Sequence, residues 1–192
     1  MVNRVKPDYA GFVFAPGRRQ VKAEQAENLR RQLDPAIAAV GVFVKAPVEE
    51  AAALANRGTI QLIQLHGEED EAYVKALRER TKAPIIRVIR VRGPESLWDL
   101  DRYDCDYFLL DTYSGSQFGG MGKTFDHSLI RQARFPRPFF LAGGLDSANV
   151  AAAIAESSPF GVDTSSGIET AGIKDENKIR AFVSAVRKEE QS

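Results

Sequence analysis

Short apolar runs alternate along this chain with stretches whose apolar residues recur at helical spacing. The runs fall at residues 9–14, 40–44, 61–65, 85–91, 107–110, 139–142 and 160–163, and each predicts a strand. Between them, residues 22–33, 48–56, 69–80, 94–103, 148–157 and 175–188 predict helices. The first is expected to bury Ala23, Ala26, Leu29 and Leu33, the weaker fourth Leu97, Trp98 and Leu100, the fifth Val150 and Ile154, and the last Ile179, Phe182, Val183 and Val186. Pro47 opens the second helix and Gly58 stops it. The early acids of the third, from Glu69, suit the positive end of its dipole, and Ser147 is placed to cap the fifth.

Strand and helix alternate throughout, which argues for a parallel sheet with right-handed crossovers. A closed (βα)₈ barrel needs eight strands, and seven are found. Residues 1–8 are not expected to supply the eighth, since Val2 and Val5 are their only aliphatics and Pro7 interrupts them. The expected fold is therefore a TIM-type (βα)₈ barrel missing its first βα unit: seven parallel strands with alternating helices, in one incomplete domain over residues 1–192. An open doubly wound sheet is the alternative, and the glycine-rich exits of the last two strands favour the barrel.

Composition narrows the choice of partner. Lys plus Arg and Asp plus Glu number 26 each, so no net field favours nucleic acid or a membrane surface, and a small molecule is the expected ligand. One cysteine cannot form an internal disulfide, and no apolar run suits a membrane span or a signal peptide. A cytoplasmic, reduced setting is expected.

Candidate chemistry gathers where strands end. The run 107–110 leads straight into Asp111, and a continuous apolar run is what a parallel strand covered on both faces looks like. An acid at its carboxyl end sits where βα-barrel enzymes keep their catalytic groups. A loop with Gly115, Gly119, Gly120 and Gly122 follows. Gly143-Gly144 after the sixth strand, and Ser165-Ser166-Gly167 after the seventh, offer backbone N–H groups and hydroxyls on one face, as barrels do when they hold a phosphate. His66 leaves the third strand towards the same mouth, and Asp163 ends the last strand. Arg18 and Arg19 follow the first strand, where composition alone would make them solvated charges. Lys123 reads as a loop-ordering charge and His127 as a helix-start residue. His66 and His127 are far apart in sequence, so no metal is implied, and the glycines of residues 118–123 do not match a dinucleotide fingerprint.

The segments Gly11-Phe-Val-Phe-Ala-Pro with Arg18-Arg19, Gly41-Val-Phe-Val, Gln64-Leu-His-Gly, Leu110-Asp-Thr, Phe118-Gly-Gly-Met-Gly-Lys-Thr-Phe-Asp126, Leu141-Ala-Gly-Gly-Leu145 and Val162-Asp-Thr-Ser-Ser-Gly-Ile-Glu169 resemble the phosphoribosylanthranilate isomerase family. The resemblance runs from about Tyr9 to the end of the chain. It implies a βα-barrel isomerase of tryptophan biosynthesis that needs neither metal nor cofactor. Such an enzyme converts N-(5-phosphoribosyl)anthranilate to 1-(2-carboxyphenylamino)-1-deoxyribulose 5-phosphate by an Amadori rearrangement. On the same basis Asp111 matches the general acid and Arg19 the arginine that meets the anthranilate carboxylate. To act so, Asp111 must hold its proton near neutral pH, which burial and like charges promote. His66 and Asp163 are expected to contact substrate, and Gly143, Gly144, Ser165, Ser166 and Gly167 to hold the phosphate.

One departure accompanies the match. The family begins with a strand ending in Ile-Cys-Gly, whose cysteine is the general base, and no such segment occurs in these 192 residues. Cys105 precedes its strand, on the order of 20 Å from Asp111 at about 3.3 Å per residue, so a structural role is expected for it. The first reading is the isomerase, with the missing start present in the working protein; the alternatives are a non-catalytic phosphate-binding protein, or a barrel fragment completed by another chain. Strands flanking an absent neighbour have unpaired edges, so self-association is also expected.

Overall fold

The computed structural model describes residues 1–111, 130 and 133–189. They form two compact units, the first comprising residues 1–88 and 101–107 and the second the remaining described residues, 89–100, 108–111, 130 and 133–189.

In the first unit, a helical turn α1 (Val2–Val5) precedes β1 (Tyr9–Val13), α2 (Ala23–Gln32), β2 (Ala38–Phe43), α3 (Val48–Asn56), β3 (Leu62–Leu65), α4 (Glu71–Arg78) and the start of β4 (Ile85–Arg90). Residues 1–8 thus carry no strand, as their sequence leads one to expect. The strands run parallel in chain order, with Val13 beside Val42, Val42 beside Gln64 and Leu65 beside Arg87. Phe43, Ile63, Leu65 and Ile85 are wholly buried, each contributing about 1.5–3 kcal/mol by leaving water. Helix α3 starts after Pro47 and ends before Gly58, as its sequence suggests. It packs on α4, whose Val74 and Leu77 face inward. Arg78 ties α4 to the sheet, because it meets Asp106 Oδ2 at 2.5 Å while that oxygen also accepts from the Ile85 amide at 2.7 Å.

Three expectations in this half of the chain need correction. Helix α2 buries Ala26 but leaves Leu29 40% exposed, so its inward face is narrower than its spacing suggests. Asp70, not Glu69, opens α4, its side chain accepting from the Tyr73 amide, and Glu69 is buried just before the helix. The weak helix expected at residues 94–103 is two 3₁₀ turns, Pro94–Leu97 and Leu100–Arg102. Leu97 and Leu100 are buried, while Trp98 stands 68% exposed between the turns, beside Asp99 at a positive φ of 53°. Only a break in the helix turns Trp98 away from its two neighbours.

The second unit holds the end of β4, then β5 (Tyr107–Asp111), β6 (Phe139–Ala142), α5 (Val150–Ser157), β7 (Gly161–Val162) and α6 (Glu176–Glu189). Strands β5, β6 and β7 are parallel and again follow chain order, with Leu110 beside Leu141 and Leu141 beside Val162. The seven parallel strands with alternating helices agree with the expected fold. A two-stranded antiparallel hairpin, β8 (Glu169–Thr170) with β9 (Ile173–Lys174), was not foreseen. Helix α6 buries Ile179 and Phe182 and packs against α5. Its start is held by Asp175, whose carboxylate lies below its ordinary pKa because Thr170 and the amides of Lys178 and Asn177 donate to it. No described helix is long and apolar enough to cross a membrane.

Two outcomes test this packing. A Cβ at Gly41 would lie 2.5 Å from Ile60 Cδ1 and 2.7 Å from the Phe43 ring, both in the filled core, so Gly41→Ala is expected to lower stability by about 1–3 kcal/mol in urea unfolding. Burial, with Glu69, Glu49 and Glu50 nearby, raises the Tyr73 pKa from 10.0 to about 12. Because the folded value is the higher, the contribution of Tyr73 is fully present below pH 10 and is lost as pH rises towards 12. Tyr73→Phe should therefore flatten the alkaline loss of stability in that window.

Candidate active site

In the second unit three adjacent strands end at the same level and deliver the polar groups. The apolar body of β5 is buried from Phe108 to Leu110, and half-buried Asp111 is the residue at which polar chemistry becomes affordable. It lies opposite Ala142, one residue before Gly143, and its carbonyl accepts from the Val91 amide at 3.0 Å. Gly143 and Gly144 have φ of 101° and 67°, a backbone path that side chains resist, so glycine suits both positions. Beyond them the chain is held by Asp146 and Asn149. Asp146 accepts from the amides of Ala148 (2.8 Å) and Asn149 (3.2 Å), and the Asn149 side chain donates to the Gly144 carbonyl (3.0 Å). Ser147 is therefore not the cap: α5 starts at Val150, and Asp146 organises the turn before it.

The exits of β6 and β7 meet. Thr164 Oγ1 donates to the Leu145 carbonyl at 2.6 Å, and a Cβ at Gly167 would fall 2.0 Å from the same oxygen. The five residues expected to hold a phosphate thus lie on two loops joined at Leu145. A 3₁₀ turn, Ser166–Ile168, follows Ser165, and Lys174 from β9 donates to the Ser165 carbonyl at 2.7 Å while pairing with Glu169 at 3.1 Å. Asp163, exposed at the end of β7, anchors its backbone by donating from its amide to the Leu141 carbonyl at 2.8 Å. The glycine-rich loop after Asp111, with Gly115, Gly119, Gly120, Gly122, Lys123 and Asp126, lies outside the described residues, as does His127.

In the first unit, Arg18 and Arg19 form an exposed turn after β1. A hollow of about 260 Å³ beside them is lined by Phe14, Pro16, Gln20, Val44 and Lys45, with Phe14 stacked on Phe43 at 4.9 Å. His66 is half-buried at the exit of β3. Its Nδ1 lies 3.1 Å from Gln64 Nε2, which can only donate, so neutral His66 carries its proton on Nε2. Buried Glu69 and Arg87 stand behind this exit.

Sequence reading missed Glu69, Arg87, Asp146 and Lys174 as supports of the site. Glu69 was absorbed into a helix, Asp146 competed with an equally good neighbouring cap, and Lys174 acts from a hairpin too short to leave a pattern. Cys105 is buried just before β5, at the end of the strand away from Asp111. Among the described residues, no group of three His, Cys, Asp or Glu side chains could hold a metal ion.

Residues 1–185 match the family described as N-(5'phosphoribosyl)anthranilate (PRA) isomerase. The N-(5'-phosphoribosyl)anthranilate isomerase of Lachnoclostridium phytofermentans is 42% identical over 196 aligned positions, covering 96% of this chain and 90% of the relative. The crystal structure of phosphoribosyl anthranilate isomerase from Thermotoga maritima superposes with a TM-score of 0.81 at 33% identity, over 96% of this chain and 90% of that one. A further crystal structure, of the isomerase in complex with reduced 1-(o-carboxyphenylamino)-1-deoxyribulose 5-phosphate, gives a TM-score of 0.78 at 30% identity with the same coverage. The expected barrel-type fold is therefore that of solved isomerases, and the chain belongs to the N-(5'-phosphoribosyl)anthranilate isomerase family.

Proposed function

We propose that this chain serves tryptophan biosynthesis by converting N-(5-phosphoribosyl)anthranilate to 1-(2-carboxyphenylamino)-1-deoxyribulose 5-phosphate. The observation that carries the site assignment is the junction of the β6 and β7 exits at Leu145, one strand away from Asp111. A substrate with a phosphate at one end and a sugar ring to be opened needs an anion cradle and an acid on the same rim. Gly143, Gly144, Ser165, Ser166 and Gly167 are the cradle, where N–H groups and hydroxyls donate to phosphate oxygens, with Lys174 bonded to Ser165 at its edge.

Asp111 protonates the furanose oxygen as its bond to C1 breaks, and the nitrogen lone pair forms the C1 iminium. A base then takes the proton from C2, and the electrons of that bond neutralise the iminium, giving the C1=C2 enol, which becomes the C2 ketone as C1 gains a proton and the C2 hydroxyl loses one. Arg19 receives the anthranilate carboxylate, a task suited to a planar fork of donors. His66 and Asp163 orient the sugar. The reaction needs no cofactor.

The C2 base is the remaining part. By the family resemblance it is a cysteine at the end of a first strand, and these 192 residues contain no counterpart. Cys105, 1% exposed and at the far end of β5, does not fill the role. A second reading is that the chain binds the phosphate ligand without turning it over and associates through its edge strands.

Activity is read from the loss of substrate fluorescence. Asp111→Asn is expected to lower kcat by about 10²–10⁴-fold, the usual contribution of a positioned general acid. Turnover that appears only when an Ile-Cys-Gly strand is joined ahead of Met1 supports the isomerase reading with an added base. A fully active monomer of 192 residues would instead show that another group is the base. Silence with the added strand, but retained phosphate-ligand binding, would favour the non-catalytic reading. Gly167→Ala, whose Cβ would displace the Leu145 carbonyl, is expected to raise KM at least about tenfold with a smaller change in kcat, the mark of a group used mainly for binding.

A further inference from the structure

The least expected cluster in the molecule is ionic and buried. Glu69 is 4% exposed and Arg87 6%, with the guanidinium Nη1 3.6 Å from Glu69 Oε2. Charges at that depth are kept only where they are paired and hydrogen-bonded. Each partner is. Glu69 Oε1 accepts from the Lys45 amide at 2.7 Å and Oε2 from the Gly67 amide at 2.9 Å. Arg87 Nη1 donates to the carbonyls of Leu65 (3.1 Å), Gly67 (3.0 Å) and Val88 (3.1 Å), and its guanidinium lies 5.2 Å from the centre of the Tyr103 ring. Arg87 Nε is nevertheless buried with no hydrogen-bond partner. A pair chosen for stability alone would do as well as two apolar residues of the same volume, which leave no such atom.

The geometry has a focus, Gly67. Its N–H is held by Glu69 and its carbonyl by Arg87, so both polar groups of that residue are fixed by the two ions. The Glu69 carboxylate lies so close that a Cβ on Gly67 would stand 2.7 Å from Oε1, which accounts for glycine there. Successive strand residues point to opposite faces, so Leu65 and Arg87, neighbours in register, share the face opposite Gln64 and His66. Gln64, which meets His66, thus lies on the face away from the ions. The residue they do hold is Gly67, which follows His66 directly. The same carboxylate holds Lys45, whose φ of 50° is one that a side chain seldom adopts, so the exits of β2 and β3 are tied to one group.

We propose that Glu69 and Arg87 are positioning residues that clamp Gly67 from both sides and thereby fix His66 in the orientation that meets the substrate. This rests on the reading that His66 lines the substrate mouth, and the test separates the two. The chain has two histidines, so ¹⁵N-histidine labelling of the full chain gives two imidazoles, and His66→Gln identifies one of them. Intact clamping predicts a single Nε2–H form for neutral His66, set by Gln64. Glu69→Gln, Arg87→Met and Gly67→Ala should each mix the two neutral forms and weaken binding of the reduced product analogue at least about tenfold, with Arg87→Lys recovering part. Arg57→Gln, which removes an exposed pair with Glu27, should change neither readout.

Folded variants that leave both the His66 form and analogue affinity unchanged would overturn the proposal. A changed His66 form with unchanged affinity would also overturn it, provided that His66→Gln itself weakens binding. If His66→Gln binds as tightly as the parent chain, the reading of His66 fails while the clamp stands on its spectroscopic effect. Should the variants not fold, amide exchange in the unmutated chain decides. Slow exchange at Lys45 and Gly67, matching the neighbouring strands, supports the clamp, and exchange at free-loop rates refutes it.

Discussion

A parallel strand covered on both faces can carry polar groups cheaply only where it ends, and this constraint organises the chain. Phe108 to Leu110 and Ile63 are sealed from water, so polar groups within the strands are few, Gln64 and the paired Arg87 among them, and most stand where the chain leaves the sheet. Asp111, His66, Asp163 and the glycine pair all occupy such places. Polar groups gather at strand ends because the burial that stabilises the strands makes an unpaired polar group costly within them.

That constraint is also why so much was legible. Apolar runs of strand length show in a sequence whatever their neighbours, and all seven strands lie where the runs predict, within a few residues at their ends. The residues directly after them were legible for the same reason. What was not legible depends on contacts made across the fold. Glu69 reads as one more acid at a helix start, and nothing local says that it turns back to accept from Lys45 and Gly67. Leu29 keeps the helical spacing of a buried residue yet faces solvent, because periodicity reports which residues share a face and not how far that face is covered. The connection at residues 94–103 has apolar content enough for a helix, but its path is set by what Leu97 and Leu100 must reach.

The two units support their strand exits by different means. In the first, an ion pair binds amides and carbonyls of successive exits, which is directional and depends on buried charge. In the second, Gly167 lets one backbone lie against another, and Thr164 and Lys174 fasten the contact with single bonds from outside. The first can be disturbed by changing one charge without altering volume. The second yields only to added volume or to loss of the fastening groups. Strand exits in the two units can thus respond differently to the same kind of substitution.

The exposure of Trp98 has a practical consequence. It is the chain's only tryptophan, set at a kink between two short turns and 68% open to water. Indole emission from the native protein should therefore already be that of a hydrated ring and change little on unfolding. A fluorescence trace would follow one surface connection while the strands that carry the site came apart unseen.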